Sequence, residues 1–155
     1  MKASPLALVL ATWFGCGFSP IAPGTAGSLG AFIAVPLWLY FGWHPLWFLA
    51  LVLVFLPASI WAAGATARGS GRKDPGLVVI DEVLGQWLTL AGAATLNWKS
   101  MLAAFLLFRL FDITKPGPVR KLEALPGGTG IVADDLGAGL IGALVLSVAG
   151  WFNLY

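Results

Sequence analysis

The stretch that decides the fold runs from Leu29 to Ala67 and reads LGAFIAVPLWLYFGWHPLWFLALVLVFLPASIWAAGATA. It carries no formal charge, and its one turn-like segment is the GWHP sequence from Gly42 to Pro45. A membrane-spanning helix needs about 20 apolar residues. The stretch is therefore too long for one crossing, and its length suits two short crossings that meet at the GWHP turn.

Further apolar segments follow this stretch. Val83–Leu96 and Ser100–Phe108 are short and could form a helical hairpin that turns at Asn97–Lys99, and Leu136–Trp151 is a last candidate helix. In that last helix Gly139 and Ala143 have the small-xxx-small spacing that allows close helix approach. We therefore expect residues 1–155 to form a single all-α domain, an integral membrane helical bundle of about five short transmembrane helices.

The composition supports a membrane environment. Apolar residues make up 59% of the chain and charged residues only 10%, whereas soluble domains carry roughly 25% charged residues. The net charge of +2 is too small to indicate nucleic-acid binding, so we expect no nucleic-acid partner. Cys16 is the only cysteine, which excludes an intramolecular disulfide.

The charged residues fall mostly into two windows, residues 68–82 and residues 109–135. All seven acidic residues lie in these windows: Asp74, Asp81, Glu82, Asp112, Glu123, Asp134 and Asp135. With about five crossings, both windows lie on one face of the membrane. Because most basic residues are also there, the positive-inside rule predicts that this face is cytoplasmic, with Lys99 alone on the outer turn.

The acidic residues are predicted to lie at helix ends. Asp81 and Glu82 are expected to open one helix and Asp134 and Asp135 another, while Asp112 closes a third. Helix capping is one interpretation, because carboxylates stabilise the first turn of a helix. The other is a divalent metal site, since hard cations such as Mg²⁺ prefer oxygen ligands and neutralise clustered carboxylates.

Two further groups of residues could bind an anion. Arg109 and Lys115 could hold a phosphate, although Arg109 could equally pair with Asp112 at i,i+3 while Lys115 extends to the membrane surface. Thr25 or Ser28 could cap a helix that follows the Gly- and Pro-rich segment 18–28, with free amides suited to an anion. A plain turn with an N-cap is the alternative for that segment.

Several phosphatase mechanisms are excluded by residue type. The only histidine, His44, is predicted on the outer turn, so a histidine nucleophile is not expected. Cys16 has Ala22, not arginine, six positions later, and no Asp-x-Asp-x-Thr/Val sequence occurs. The chemistry that remains is attack by water activated by carboxylate-held metal, with an Asp or Glu as general base.

Four motifs, in order, resemble those of the phosphatidylglycerophosphatase A family. They are GFSPIAPGTAGS (residues 17–28), VIDEVLG (79–85), FRLFDITKPGP (108–118) and GGTGIVADDLGAG (127–139). The resemblance implies a bacterial inner-membrane enzyme that needs Mg²⁺. Its reaction would remove the terminal phosphate of phosphatidylglycerophosphate to give phosphatidylglycerol, so a phospholipid is the expected partner.

The resemblance carries the family's motif positions onto a defined set of residues in this chain. The expected catalytic acids are Asp81, Glu82, Asp112, Asp134 and Asp135. Of these, Asp81, Glu82, Asp134 and Asp135 are the expected Mg²⁺ ligands, and the expected phosphate-binding residues are Lys115, Arg109, Thr25 and Ser28. The alternatives from other classes are a small cation-transporting membrane protein and a structural membrane subunit. Transport should require polar groups near the bilayer midplane, where this sequence has no charges.

Overall fold

The computed structural model describes residues 3–155, and within that range all regular elements are helical, as the sequence predicts. The α-helices are α1 (Pro5–Ala11), α2 (Pro23–Gly30), α3 (Val35–Phe41), α4 (Phe48–Ser70), α5 (Ile80–Ala91), α6 (Trp98–Thr114), α7 (Gly117–Leu122) and α8 (Gly127–Trp151). Short 3₁₀ turns link α1 to α2, α2 to α3 and α3 to α4.

Three segments are long and apolar enough to cross a membrane: Pro23–Phe41, Pro45–Ser70 and Gly127–Trp151. The predicted turn at Gly42–Pro45 separates the first two, and Gly42 ends α3 in the left-handed conformation that favours glycine (φ +63°). The shorter α5 and α6 have 12 and 17 residues, below the about 20 that a crossing needs. The bundle therefore has three candidate spans among its described residues, and the predicted number of five is not confirmed.

Helix α5 lies at the centre of the bundle and packs against α8, α4, α2 and α6. Its closest approach is to α8, where a Cβ atom on Gly139 would lie 3.0 Å from the Cα atom of Gly85. The Thr89 hydroxyl bridges the two helices, donating to the carbonyl oxygens of Gly85 (3.0 Å) and Gly139 (3.2 Å). The small residues predicted to allow close helix packing do so at this contact.

Two predicted helix starts are wrong. Helix α8 begins at Gly127, so Asp134 and Asp135 lie about two turns inside it and do not open it. The physical reason is that Gly128 packs directly on the backbone of Ile60 in α4, which holds the glycine-rich segment in a helix. Helix α2 begins at Pro23, whose fixed φ angle suits a first helical turn, so Thr25 and Ser28 lie inside the helix and do not cap it.

Candidate active site

Three carboxylates come together where α5 begins beside α8. Asp81 and Glu82 occupy the first turn of α5, and Asp135 extends from α8. Each offers an oxygen atom, and these atoms all lie within 4.8 Å of one another. The close α5–α8 packing at Gly85 and Gly139 brings them together, although more than fifty positions separate Asp135 from the other two in the sequence. We call Asp81, Glu82 and Asp135 the carboxylate trio.

The carboxylate trio has strong electrostatic repulsion to overcome. Asp81 and Asp135 are only 6% and 4% exposed, and Glu82 is half-buried. One oxygen of each residue (Asp81 Oδ1, Glu82 Oε2 and Asp135 Oδ2) is buried and has no hydrogen-bond partner within residues 3–155. Buried charges without partners are costly, and adjacent carboxylates raise that cost. An oxygen-only set with free lone pairs fits a hard divalent cation such as Mg²⁺.

Asp134, the fourth predicted metal ligand, faces a different partner. Its Oδ2 atom accepts a hydrogen bond from Lys115 Nζ at 2.7 Å, and Lys115 Nζ also lies 3.4 Å from Glu123 Oε2. Lys115 ends α6 in the left-handed conformation (φ 43°), which turns the chain at this point. Burial alone lowers the pKa of the Lys115 ammonium group, but the hydrogen bond and charge of Asp134, with the charge of Glu123, outweigh it and raise that pKa above its ordinary value.

Arg109 and Asp112 form the i,i+3 ion pair that the sequence left open as an alternative. The distance from Arg109 Nη1 to Asp112 Oδ2 is 2.5 Å, and both side chains are mostly buried in the last turns of α6. Asp112 is close enough to Glu82 and Asp135 to interact with both electrostatically. The pair therefore lies beside the carboxylate trio and supplies one positive and one negative group to its edge.

The start of α2 closes the site from another side. A methyl group on Gly24 would collide with the Glu82 carboxylate and would lie 3.1 Å from Arg109 Nη1, so the Gly24 backbone lies against both side chains. Thr25 follows it and is half-buried. Ser28 is fully buried and donates its hydroxyl to the Gly24 carbonyl oxygen at 2.9 Å, which leaves it no free donor for a phosphate.

Two residues of this site are missing from the sequence-based prediction. Gly24 enters the sequence-based prediction only as part of the Gly- and Pro-rich segment 18–28. The signal for its role is its place in the first of the four motifs. Glu123 lies in the second charged window, where nothing in the spacing relates it to Lys115, and the contact exists because α7 folds back on α8.

A separate apolar cavity of about 430 Å³ is lined by Trp38, Trp43, Trp47, Ala50, Leu51 and Val54. It lies near the start of α4, whereas the first charged window follows the end of that helix, about 30 Å away. Since no acidic or basic side chain lines it, we assign no reaction to it.

Comparison with known proteins gives matches over most of the chain. Residues 9–149 match the family described as PgpA, Phosphatidylglycerophosphatase A. A phosphatidylglycerophosphatase A of Escherichia coli is 38% identical over 92% of this chain and 82% of its own length. A phosphatidylglycerophosphatase A of Haemophilus influenzae is 37% identical over 89% of this chain and 85% of its own length.

A protein of Bacteroides thetaiotaomicron named "Putative phosphatidylinositol-3-phosphatase" is 40% identical over 97% of each chain. No solved structure gives a significant match. All of the named relatives are phosphatases by their printed names, which favours the enzyme interpretation over the cation transporter. The family match covers all four motifs that carry the resemblance in the sequence. The chain therefore belongs to the phosphatidylglycerophosphatase A family and is a phosphatase.

Proposed function

We propose that the protein is a Mg²⁺-dependent lipid phosphatase that hydrolyses the terminal phosphate of phosphatidylglycerophosphate, giving phosphatidylglycerol and phosphate. The observation that carries the proposal is the buried carboxylate trio with three unpaired oxygens. The substrate follows from the family and from the printed names of the relatives in E. coli and H. influenzae.

The residues in and around the trio have different proposed roles in the cleavage of the phosphate ester. In our proposal Asp81, Glu82 and Asp135 hold Mg²⁺, which when bound activates water and neutralises phosphate charge. Arg109 and Lys115 bind the phosphate oxygens, Arg109 with a planar fork and Lys115 as a point charge. The attacking water forms a new P–O bond, and its proton passes to a carboxylate, for which Asp112 is our candidate because of its place beside the trio.

The leaving group determines where the second proton goes. As the P–O bond to the glycerol breaks, the electron pair stays on the glycerol oxygen, which must take up one proton to become the hydroxyl of phosphatidylglycerol. Protonated Asp112 can return the proton that it accepted, so the carboxylate is regenerated and no net proton is consumed within the site. The Arg109 guanidinium, whose Nη1 atom lies 2.5 Å from Asp112 Oδ2, holds that carboxylate in position for the next cycle.

The site suits a substrate that stays in a membrane. The three candidate spans carry long apolar surfaces that suit lipid. The first charged window and Asp112 lie in loops and at helix ends, and Asp134 and Asp135 lie about two turns inside α8. The excess of basic residues in those loops supports a cytoplasmic orientation in the bacterial inner membrane. A phospholipid head group could then reach the trio while its acyl chains remain in the bilayer.

Phosphatidylinositol 3-phosphate is a second candidate substrate because of the printed name of the B. thetaiotaomicron relative, which is 40% identical. Both lipids are phosphate monoesters on an alcohol of the head group, so the same carboxylates and cations could serve either. They differ in the leaving alcohol, glycerol in one and an inositol ring in the other. Relative kcat/KM values for the two lipids would decide between them.

The direct test is phosphate release from phosphatidylglycerophosphate by the purified protein in detergent, with Mg²⁺ and then with excess chelator. We expect release that stops on chelation and is lost in Asp81→Asn and Asp135→Asn. Lys99→Gln is the control, because Lys99 is an exposed charged residue at the opposite end of α6 from Arg109 and Asp112, and it should keep most of the activity. Full Mg²⁺-dependent activity in both trio variants would disprove the assignment.

A further inference from the structure

Gln86 is a fully buried polar side chain with no visible partner. Its exposed fraction is 0%, and neither its Oε1 nor its Nε2 atom has a hydrogen-bond partner in the described part of the chain. A buried amide without hydrogen bonds destabilises the folded state, because it loses its bonds to water and gains none in return. A residue that carries this cost in the centre of the bundle indicates that a partner is present in the working enzyme.

The position of Gln86 on α5 shows where that partner must be. It follows Glu82 by four residues, so the two side chains lie on the same face of the helix, one turn apart. Side chains on an α-helix lean toward its N-terminus, which directs the Gln86 carboxamide toward Glu82. Glu82 Oε2 is also buried without a hydrogen-bond partner among residues 3–155, so two polar side chains one turn apart on α5 both lack partners.

The other polar side chains in the middle of α5 already have hydrogen-bond partners. On a neighbouring face, Trp87 donates its indole N–H to the Ala31 carbonyl oxygen at 2.9 Å. On another, Thr89 is satisfied by the carbonyl oxygens of α5 and α8. Val83 and Leu90 are fully buried and apolar. Of the polar side chains on α5, those without a partner for at least one atom are Gln86 itself and the trio members Asp81 and Glu82.

We infer that Gln86 is a positioning residue of the metal site, an inference that rests on the proposed function. Its N–H group would donate to the unpaired Glu82 oxygen and orient that carboxylate, and its carbonyl oxygen would accept a hydrogen bond from a hydrated divalent cation. A carboxamide supplies both a donor and an acceptor without adding a fourth negative charge to the trio. Groups that orient metal ligands typically change metal affinity by about 10- to 100-fold when removed.

The test measures Mn²⁺ binding to the whole protein in detergent by electron paramagnetic resonance, without substrate. Gln86→Met, of similar size but apolar, should bind Mn²⁺ about 10- to 100-fold more weakly than the unmodified protein. Thr66→Val is the matched control, since the Thr66 hydroxyl on α4 is also buried without a partner in residues 3–155. Its Mn²⁺ affinity should be unchanged.

Metal-free stability separates positioning from a structural role. Gln86→Met removes an unsatisfied buried amide, so the melting temperature of the metal-free protein should be equal or higher, while the rise in melting temperature on adding Mn²⁺ should shrink. If Gln86→Met does not fold, Gln86→Leu answers the question. It is also apolar and without a donor or acceptor, and it should weaken Mn²⁺ binding in the same way.

The outcomes are distinguishable. Unchanged Mn²⁺ affinity in Gln86→Met, or in Gln86→Leu if that variant is the one available, overturns the inference and leaves the proposed function standing. If the unmodified protein itself binds no divalent cation, the proposed metal site fails and the role of Gln86 fails with it.

Discussion

Lys115 Nζ lies 2.7 Å from Asp134 Oδ2 and joins the end of α6 to α8 across 19 positions of sequence. Because Asp134 pairs with Lys115, its carboxylate is not part of the cluster that Asp81, Glu82 and Asp135 form. Adjacent residues on α8 therefore point to different partners. Asp135 faces the proposed metal position, and Asp134 holds the lysine proposed to bind phosphate.

The first prediction separates the roles of these neighbouring aspartates. Asp135→Asn should weaken Mg²⁺ binding by at least about tenfold, because it removes a buried charged ligand. Asp134→Asn should leave Mg²⁺ affinity within about twofold and instead raise KM, because Lys115 loses the charge that fixes its position. Steady-state kinetics at varied Mg²⁺ and varied lipid gives both constants. Equal losses of Mg²⁺ affinity in the two variants would mean that Asp134 is also a metal ligand.

The second prediction concerns pH. The folded state raises the pKa of Lys115 above the ordinary value of 10.5, so folding favours its protonated form. The stability gained from this shift is fully present below the unfolded pKa and is lost only as pH rises through the folded pKa. The difference in unfolding free energy between the unmodified protein and Lys115→Met should thus stay constant from about pH 7 to about pH 9. Denaturant titrations at several pH values measure it, and a steady decline over that range would contradict the pairing.

The third prediction tests the contact between α2 and the trio. In Gly24→Ala the new methyl group collides with the Glu82 carboxylate and approaches Arg109 Nη1, so Glu82 must move. We expect kcat/KM to fall by about tenfold or more, with weaker Mg²⁺ binding.

Gly76→Ala is the matched control for Gly24→Ala, because a Cβ atom at Gly76 meets nothing within 4 Å. It should behave like the unmodified protein in the same assays. Normal kinetics in Gly24→Ala would mean that α2 does not contact the site in the working enzyme.

The sequence alone was enough to predict the helical class and the meeting of the acidic windows. An apolar environment disfavours charges along a spanning helix, so the two acidic windows were expected on one face, and Asp81 and Glu82 of the first do meet Asp135 of the second. The turn at Gly42 was equally visible, because a glycine interrupts a long apolar run and adopts the conformation that ends α3.

What the sequence could not show are contacts between distant segments. Glycine is a poor helix former, so a run of glycines at 127–130 reads as a loop, yet Gly128 packs on Ile60 and the helix starts there. The partner of Lys115 depends on the rotation of α8 about its axis, which its contacts with α4 at Gly128 and with α5 at Gly139 determine. Gln86 escaped notice because one amide in an apolar helix has no sequence signal, and only its burial makes it unusual.

The fourth prediction concerns the packing that assembles the trio. A Cβ atom on Gly139 would collide with the backbone of Gly85, and backbone cannot move aside as a flexible side chain can. Gly139→Ala should therefore lower the unfolding free energy by about 1–3 kcal/mol, the usual cost of overpacking. Because the same contact sets the distance from Asp135 to Asp81 and Glu82, Mg²⁺ affinity should fall as well.

The control for Gly139→Ala is Gly137→Ala on the same helix, where the added methyl group would meet mainly the end of the Leu122 side chain, which can turn away. Unfolding in increasing dodecyl sulfate and Mg²⁺ titration of both variants give the two readouts. Loss of stability without loss of Mg²⁺ affinity would show that the carboxylates adjust independently of the helix spacing. If Gly139→Ala loses both stability and Mg²⁺ affinity while Gly137→Ala loses neither, the distance between α5 and α8 determines the geometry of the metal site. The contact between Gly85 and Gly139 then sets that distance.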